Sequence, residues 1–459
     1  MKKLIYILVF FLPVIVSAQY NVYKDSPLDY TWKNVGNAGF SASQALYTSL
    51  AFNQSGQPYV AYNDNGNSGR LTVVKFDGTS WVNVGNAGFS LSVVTYTSLA
   101  FSPSGQPYVA YEDAGQSGKT TVIKYDGNNW IFVGNAGFTA ATAIYTSLAF
   151  NPTDGYPYVA YGDAAYAYNS SVMKFDGTNW VNVGNAGFSA GEADNISLAF
   201  SPSGQPYVAY IDWSYSVKAT VMKFNGTNWV YIGNEGFSAG YIDFTSLAFN
   251  PSDSLPYVAF MDYNLKATVM KFDGINWVNV GNAGFSADKA DNISLAFSPS
   301  GEPYVAYADG SNSFKTTVMK FDGINWVYVG NAGFSTGVCL YNSLALSPSV
   351  VPYVAYGDGG NASKATVMKY DSVYVGVNEL RKSSFSLYPN PVRDKITVET
   401  SSTLTPSQLS IMNVNGQQFI TRYITETKTQ INISTLPSGV YIVRVTGERT
   451  VGVGKFVKQ

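Results

Sequence analysis

Aromatic and acidic side chains gather in two sets of short segments that vary from copy to copy of an internal repeat. Tyr166, Tyr168, Trp213, Tyr215 and Tyr263 stand in one set, and Glu192, Asp194, Asp243, Asp288 and Asp291 in the other. Exposed rings beside carboxylates stack on sugar faces and accept hydrogen bonds from sugar hydroxyls. The combination points to an extracellular glycan or a surface protein as ligand, with Tyr166, Tyr168, Trp213, Tyr215, Tyr263, Asp194 and Asp243 as the contact residues. The competing use of the same aromatics is to pack their own loops, since most tyrosines are at least partly buried in folded proteins.

The chemistry that is missing narrows the field. There is no histidine in 459 residues, which removes His-based metal sites, Ser-His triads and the commonest general base. A single cysteine, Cys339, allows no intramolecular disulfide. Arg70 is the only arginine before residue 381, so no arginine cluster can hold a carboxylate. The formal charge of −2 leaves no basic footprint for nucleic acid. Glycosidases need two carboxylates across a site, and no spacing here singles out a pair, so no catalytic residue is assigned.

The elements that must position these groups are written into the repeat. Trp recurs at 32, 81, 130, 180, 229, 277 and 326, and self-similarity at such a period marks an array of supersecondary units. Each copy reads as four short strands, in the third copy Thr146 to Phe150, Pro157 to Tyr161, Ser170 to Asp176 and Asn179 to Val183. Asp-Gly and similar pairs between them are hairpin signals. The second strand, Pro-Tyr-Val-Ala-Tyr, is apolar on both alternating faces, so both sides of its sheet must be covered. These features predict an all-β protein in which residues 30–371 form a seven-bladed β-propeller of four-stranded blades. The segment Thr31-Trp-Lys-Asn-Val-Gly precedes every other strand, and the seventh copy lacks a good fourth strand, so the N-terminal strand is expected to close blade 7. The loops between second and third strands and those between blades then share one face of the disc.

An Asp after each second strand, at 64, 113, 163, 212, 262, 309 and 358, and a Lys in each third strand recur in all seven copies. Repetition of this kind argues for scaffold. The Asp is expected to accept hydrogen bonds from turn amides, a repeated calcium contact being the alternative; no cofactor is otherwise indicated. The Lys is expected to lay its stem along the second strand and leave its ammonium in water.

The ends of the chain carry addresses. Residues 1–18 open with Lys2-Lys3, continue through an apolar run and end at Val16-Ser17-Ala18, a secretory signal peptide with its cut between Ala18 and Gln19. Residues 19–29 are a lead-in. The mature chain has no other apolar run long enough to span a bilayer. Residues 372–384 read as a linker. Beyond it, Phe385-Ser-Leu-Tyr-Pro-Asn-Pro-Val-Arg-Asp-Lys-Ile-Thr-Val, Ile411-Met-Asn-Val-Asn-Gly416, Leu436-Pro-Ser-Gly-Val-Tyr-Ile-Val-Arg-Val445 and Lys455-Phe-Val-Lys-Gln459 suit a small Ig-like β-sandwich over 385–459. This stretch closely resembles the C-terminal sorting domain of the type IX secretion system of Bacteroidota. The resemblance implies Sec export, recognition by the type IX machinery, translocation across the outer membrane, removal of the domain, and release or attachment at the cell surface.

The leading reading is therefore a secreted or cell-surface, non-catalytic binding propeller. An extracellular polysaccharide-degrading enzyme with a site at the propeller centre and a structural surface array are the alternatives. If the sorting domain is read and then cut, the exported protein begins at Gln19 and lacks the residues after about Ser384. Mass spectrometry of the secreted form checks both ends, and an intact Gln459 would refute the processing step.

Overall fold

Each hairpin at the rim is made by an Asp or Asn that holds its own turn. Asp77 Oδ1 accepts from the amides of Thr79 and Ser80, both at 2.8 Å, while Gly78 takes φ +104°, a conformation glycine adopts without a Cβ penalty. These backbone donors hold the Asp77 carboxyl below its usual range. Asp126, Asp176, Asp273 and Asp322 repeat the arrangement, and Asn225 substitutes for it in one copy.

The computed structural model describes residues 29–373, 381–382, 385–400, 407–446 and 450–459. The expected signal segment with its Ala18–Gln19 cut, nearly all of the lead-in 19–29 and the greater part of the linker 372–384 lie outside the described residues. Two units are present, Tyr30–Ser372 and a second running from Val373 to Gln459.

The first unit is a propeller of seven four-stranded antiparallel sheets. Blade 1 consists of Ala45–Phe52, Pro58–Asp64, Arg70–Phe76 and Trp81–Asn83 from the axis outward, and blades 2 to 6 repeat it. In blade 3 the second strand, Pro157–Asp163, is buried at every position, as a strand covered on both faces must be. The inner strand there, Ala143–Phe150, begins three residues earlier than Thr146 because a bulge between Ile144 and Ser147 lets pairing resume on its far side. The outer strand is shorter than expected, Trp180–Asn182.

Closure follows the sequence expectation. Asp29–Asn34 pairs with Lys364–Val373, beside Pro352–Asp358 and Cys339–Leu346, so the first described strand is the outer strand of blade 7. Two rings of contacts then fasten blade to blade. At the rim each of the seven Trp indoles donates to a carbonyl of the preceding blade at 2.6–2.7 Å, Trp32 to Val329 and Trp81 to Val35 among them. Each also stacks on the Phe of that blade's Gly-Asn-Ala/Glu-Gly-Phe turn, with Trp32 3.9 Å from Phe334. Near the axis a serine of each inner strand accepts the leucine amide of the next blade, and Leu50 N to Ser343 Oγ at 2.9 Å completes the circle. Between the rings lie apolar clusters shared by neighbouring blades, such as Tyr158, Ala160 and Val172 with Leu198, Val208 and Met222.

The second unit is a small sandwich. A sheet ordered Arg381–Lys382, Thr450–Lys458, Gly439–Thr446, Ser407–Asn413 and Gln418–Ile424 and a second of Phe385–Tyr388, Lys395–Thr400 and Lys428–Asn432 supply one core. Ile396, Val398 and Ile431 from the smaller sheet meet Leu409, Ile411, Val443 and Phe456 from the larger.

Trp32→Ala should cost about 3–5 kcal/mol, as much as the same change at the interior Trp180, because both empty an equivalent stacked, hydrogen-bonded site. Urea unfolding of the mature chain measures it. A midpoint unchanged by Trp32→Ala would mean that the ring is not closed by the N-terminal strand.

Candidate functional site

The loop face is built on the repeated Asp. Asp64 Oδ1 accepts from Gly66 N at 3.0 Å, while its Oδ2 accepts from Asn67 Nδ2 and from Thr72 Oγ1, both at 2.8 Å. Equivalent bonds recur at Asp163 and Asp309, so this Asp caps a one-turn 3₁₀ segment and ties it to the third strand. The repeated Lys lies over the second-strand Tyr, with Lys174 Nζ 5.8 Å from the Tyr158 ring centroid. Among the described residues no group of three or more His, Cys, Asp or Glu is arranged to hold a metal.

At the axis every inner strand carries its bulge on one residue of positive φ: Tyr47, Tyr96, Tyr145, Asn195, Phe244, Asn292 and Tyr341, all between 49° and 55°. Such backbone in non-glycine residues persists only where the surroundings over-determine it. Here Thr48, Thr97, Thr146 and Thr245 donate their hydroxyls to the carbonyls of Tyr341, Tyr47, Tyr96 and Asn195 in the preceding blades. The seven residues ring an axial cavity of about 230 Å³.

The ring is chemically lopsided. Tyr341, Tyr47, Tyr96 and Tyr145, from blades 7, 1, 2 and 3, form an arc with successive ring centroids 4.6, 5.2 and 4.8 Å apart. Burial, then the neighbouring Tyr145 and Glu112, push the Tyr96 phenol up to about 12. The other half holds Asn195, Phe244 and Asn292, and the residue before each is a carboxylate: Asp194, Asp243 and Asp291. Asn195 Nδ2 donates to Asp243 Oδ1 at 3.3 Å, and the Phe244 amide donates to the same oxygen at 2.9 Å. Lys289 Nζ sits 3.1 Å from Asp291 Oδ1 without hydrogen-bond alignment, a partly exposed pair of small energetic weight. Burial is the main cause that raises the Asp243 pKa, with Asp291 and Asp194 adding to it and the Phe244 amide and Lys289 opposing.

Three of the residues singled out in the sequence meet here. Trp213, 52% exposed, donates its indole N–H to Asp194 Oδ2 at 2.7 Å, and Asp243 lies beyond Asn195. Asp194 and Asp243 stand on the inner strands Ala193–Phe200 and Asp243–Phe249, not in the loops before them. The other aromatics are elsewhere. Tyr166 and Tyr215 cover Gly187 and Gly236 of their own blades, Tyr168 is half-buried at φ 62° with its backbone in the loop bonds, and Tyr263 borders a separate cavity in blade 5. Tyr166 and Tyr215 thus pack against their own blades, and none of these three lines the axial cavity. The tyrosine arc escaped the sequence reading because the inner strand reads as scaffold. Its signal was the residue two before Ser-Leu-Ala, which runs Tyr, Tyr, Tyr, Asn, Phe, Asn, Tyr through the copies while Ser-Leu-Ala itself does not change.

Residues 386–459 match the family model described as a secretion system C-terminal sorting domain. No curated protein matches the chain. Among solved structures it is similar to PorZ, a bacterial surface component of the type-IX secretion system of Porphyromonas gingivalis, at 15% identity and TM-score 0.48, over 91% of this chain. The chain spans only 60% of the length of that PorZ structure. It is also similar to the SapL1 lectin in complex with alpha methyl fucoside, at 15% identity and TM-score 0.45, covering 65% of this chain and 99% of that one. The Aleuria aurantia lectin in complex with Fucalpha1-6GlcNAc is similar at 12% identity and TM-score 0.40, covering 61% and 97%. The sorting domain indicates a secreted or outer-surface protein that engages the secretion machinery. No described helix is long and apolar enough to cross a membrane.

A carboxyl whose folded pKa is raised stabilises the fold fully below the ordinary carboxylate range, and that contribution is lost as pH rises through the folded pKa. Asp243→Asn keeps an oxygen for Phe244 N and Asn195 Nδ2. It should therefore be more stable than the native chain near pH 7 and lose that advantage near pH 3. Denaturant midpoints at the two pH values check the sign, and a pH-independent difference would contradict it.

Proposed function

We propose that the Tyr30–Ser372 propeller is a non-catalytic saccharide-binding module displayed outside the cell, and that its binding site is the mouth of the axial channel. The observation that carries the reading is the arc of Tyr341, Tyr47, Tyr96 and Tyr145 facing Asn195, Phe244 and Asn292 across the axial cavity, with Asp194, Asp243 and Asp291 one residue before those three and Trp213 bonded to Asp194. Tyrosine faces take the C–H face of a pyranose, and carboxylates accept its hydroxyls. Scaffold positions in this chain repeat in every blade; this one differs between the two halves of the ring. A ligand without seven-fold symmetry needs such a difference.

A catalytic reading has one specific support, the raised pKa of Asp243 beside two further carboxylates, since a protonated carboxylic acid near a carboxylate is the equipment of glycoside hydrolysis. The same experiment addresses both. A glycan array probed with the secreted protein should give a restricted set of hits. Tyr96→Ala and Trp213→Ala should each weaken them several-fold, about 1 kcal/mol for one lost stacking platform, with folding of the Trp213 variant unchanged. An array without hits would leave a structural role. Release of reducing ends from a hit, abolished in Asp243→Asn, would replace binding by hydrolysis.

A further inference from the structure

Blade 5 departs from the other six at two places that meet in space. After Asp262 its turn is two residues shorter, so Thr268 follows that Asp by six positions where Thr72, Thr121, Ser171, Thr220, Thr317 and Thr366 follow theirs by eight. The 3₁₀ turn of the other blades is gone, and with it the residue that covers the last Gly of the outer turn. A methyl group added to Gly88, Gly137, Gly187, Gly236, Gly333 or Gly39 would fall within 3.0 Å of Asn67, Gln116, Tyr166, Tyr215, Asn312 or Asn361 respectively. At Gly284 nothing comes that close: the nearest atoms are Asp262 Oδ2 at 3.3 Å and the Lys266 side chain at 3.5 Å. The second departure is Phe260, which stands where the other blades bury Tyr62, Tyr111, Tyr161, Tyr210, Tyr307 and Tyr356.

Both changes remove atoms from one spot and leave a cavity of about 560 Å³, within the range of small-molecule sites. Phe237, Ile242, Phe260 and Met270 form its apolar lining, and Tyr263 and Asn279 border it. Asp262, 7% exposed, also lines it. In blades 1, 6 and 7 the matching Oδ2 takes a second hydrogen bond from Asn67, Asn312 or Asn361 at 2.8–2.9 Å. In blade 5 Asp262 Oδ2 accepts from Thr268 Oγ1 alone among the described residues, as Asp113 and Asp163 Oδ2 accept from Thr121 and Ser171 alone, but here the carboxylate also borders the cavity. In blades 3 and 4 a tyrosine fills the equivalent place, with the Tyr215 ring 6.5 Å from that of Tyr231, the counterpart of Asn279.

We propose that the blade 5 cavity is a binding site for a phenolic ring, which replaces the missing tyrosine on the apolar lining and donates its hydroxyl to Asp262 Oδ2. A carboxylate acceptor makes that hydrogen bond short and strong. Apolar walls favour a flat aromatic body over a ring hydroxylated on every edge, which would leave polar groups unpaired against Phe237, Phe260 and Met270. The site is separate from the channel mouth and does not depend on saccharide binding there.

The test titrates the mature full-length chain with 4-methylphenol, followed by ligand-observed NMR and calorimetry, with toluene and a methyl hexopyranoside as comparison probes. 4-Methylphenol should bind at one site, toluene at least about tenfold more weakly for want of the donor, and the hexoside not measurably. Replacing the four residues 263–266 by the six-residue Trp213–Lys218 turn of blade 4 restores the plug, and Phe260→Tyr restores the hydroxyl. Both changes are native to other blades, so the fold accepts them, and each should weaken 4-methylphenol at least about tenfold. Glycan-array signals should survive the turn replacement, and Tyr96→Ala should leave 4-methylphenol binding intact. Absence of phenol binding, binding unaffected by both variants, or tighter binding of the hexoside would each overturn the proposal.

Discussion

A strand that is apolar on both faces forbids its sheet from standing alone. Pro-Tyr-Val-Ala-Tyr-x-Asp and its variants give every blade such a strand, so each sheet must be sandwiched, and so must each of its neighbours. A linear stack would end in two uncovered faces, whereas a ring has none. The rest of the propeller serves that demand. The Trp–Phe stacks hold neighbouring blades at the rim, the Ser–Leu bonds hold them at the axis, and the apolar clusters between have no free boundary. The C-terminal sandwich solves the same problem with two sheets and one core.

How much of this was legible in the sequence depends on what kind of signal each feature leaves. Strand count, blade number and closure by the Trp32 segment were readable because the repeat presents one physical problem seven times, and Gly-Asp turns and apolar runs are local signals. The capping role of the repeated Asp was readable for the same reason. Strand ends shifted where the inner-strand bulge, produced by contacts around the axis, overrode local pattern. The sorting domain was legible through its motifs, and the family match at 386–459 agrees with them.

The candidate site was legible in part. Trp213, Asp194 and Asp243, which the structure brings together, stand out in the sequence because they break the repeat with residue types that carry obvious chemistry. Tyr166 and Tyr215 break it too, and each covers a glycine of its own blade, as Asn and Gln do in other blades. A change of residue type along a loop does not reveal whether the side chain turns inward or outward. Tyr47, Tyr96, Tyr145 and Tyr341 were passed over because tyrosine in a strand looks like packing. Only the circular arrangement, which brings together residues some 50 positions apart such as those joined by the Thr97 to Tyr47 bond, turns them into one surface.

The route by which the ring is locked also sets a schedule for the chain. Val35 bonds to Val367 and Phe40 to Ala365, so the earliest strand has no partner until nearly the whole propeller has been synthesised. A polypeptide emerging N-terminus first therefore carries an unpaired leading strand through the making of six blades, and its two raw edges meet only when the seventh arrives. The residues that supply this last partner, Lys364–Val373, directly precede the second unit, which holds the sorting signal. Any chain truncated short of the lock also lacks the address, so a propeller missing its last partner strand carries no label for delivery.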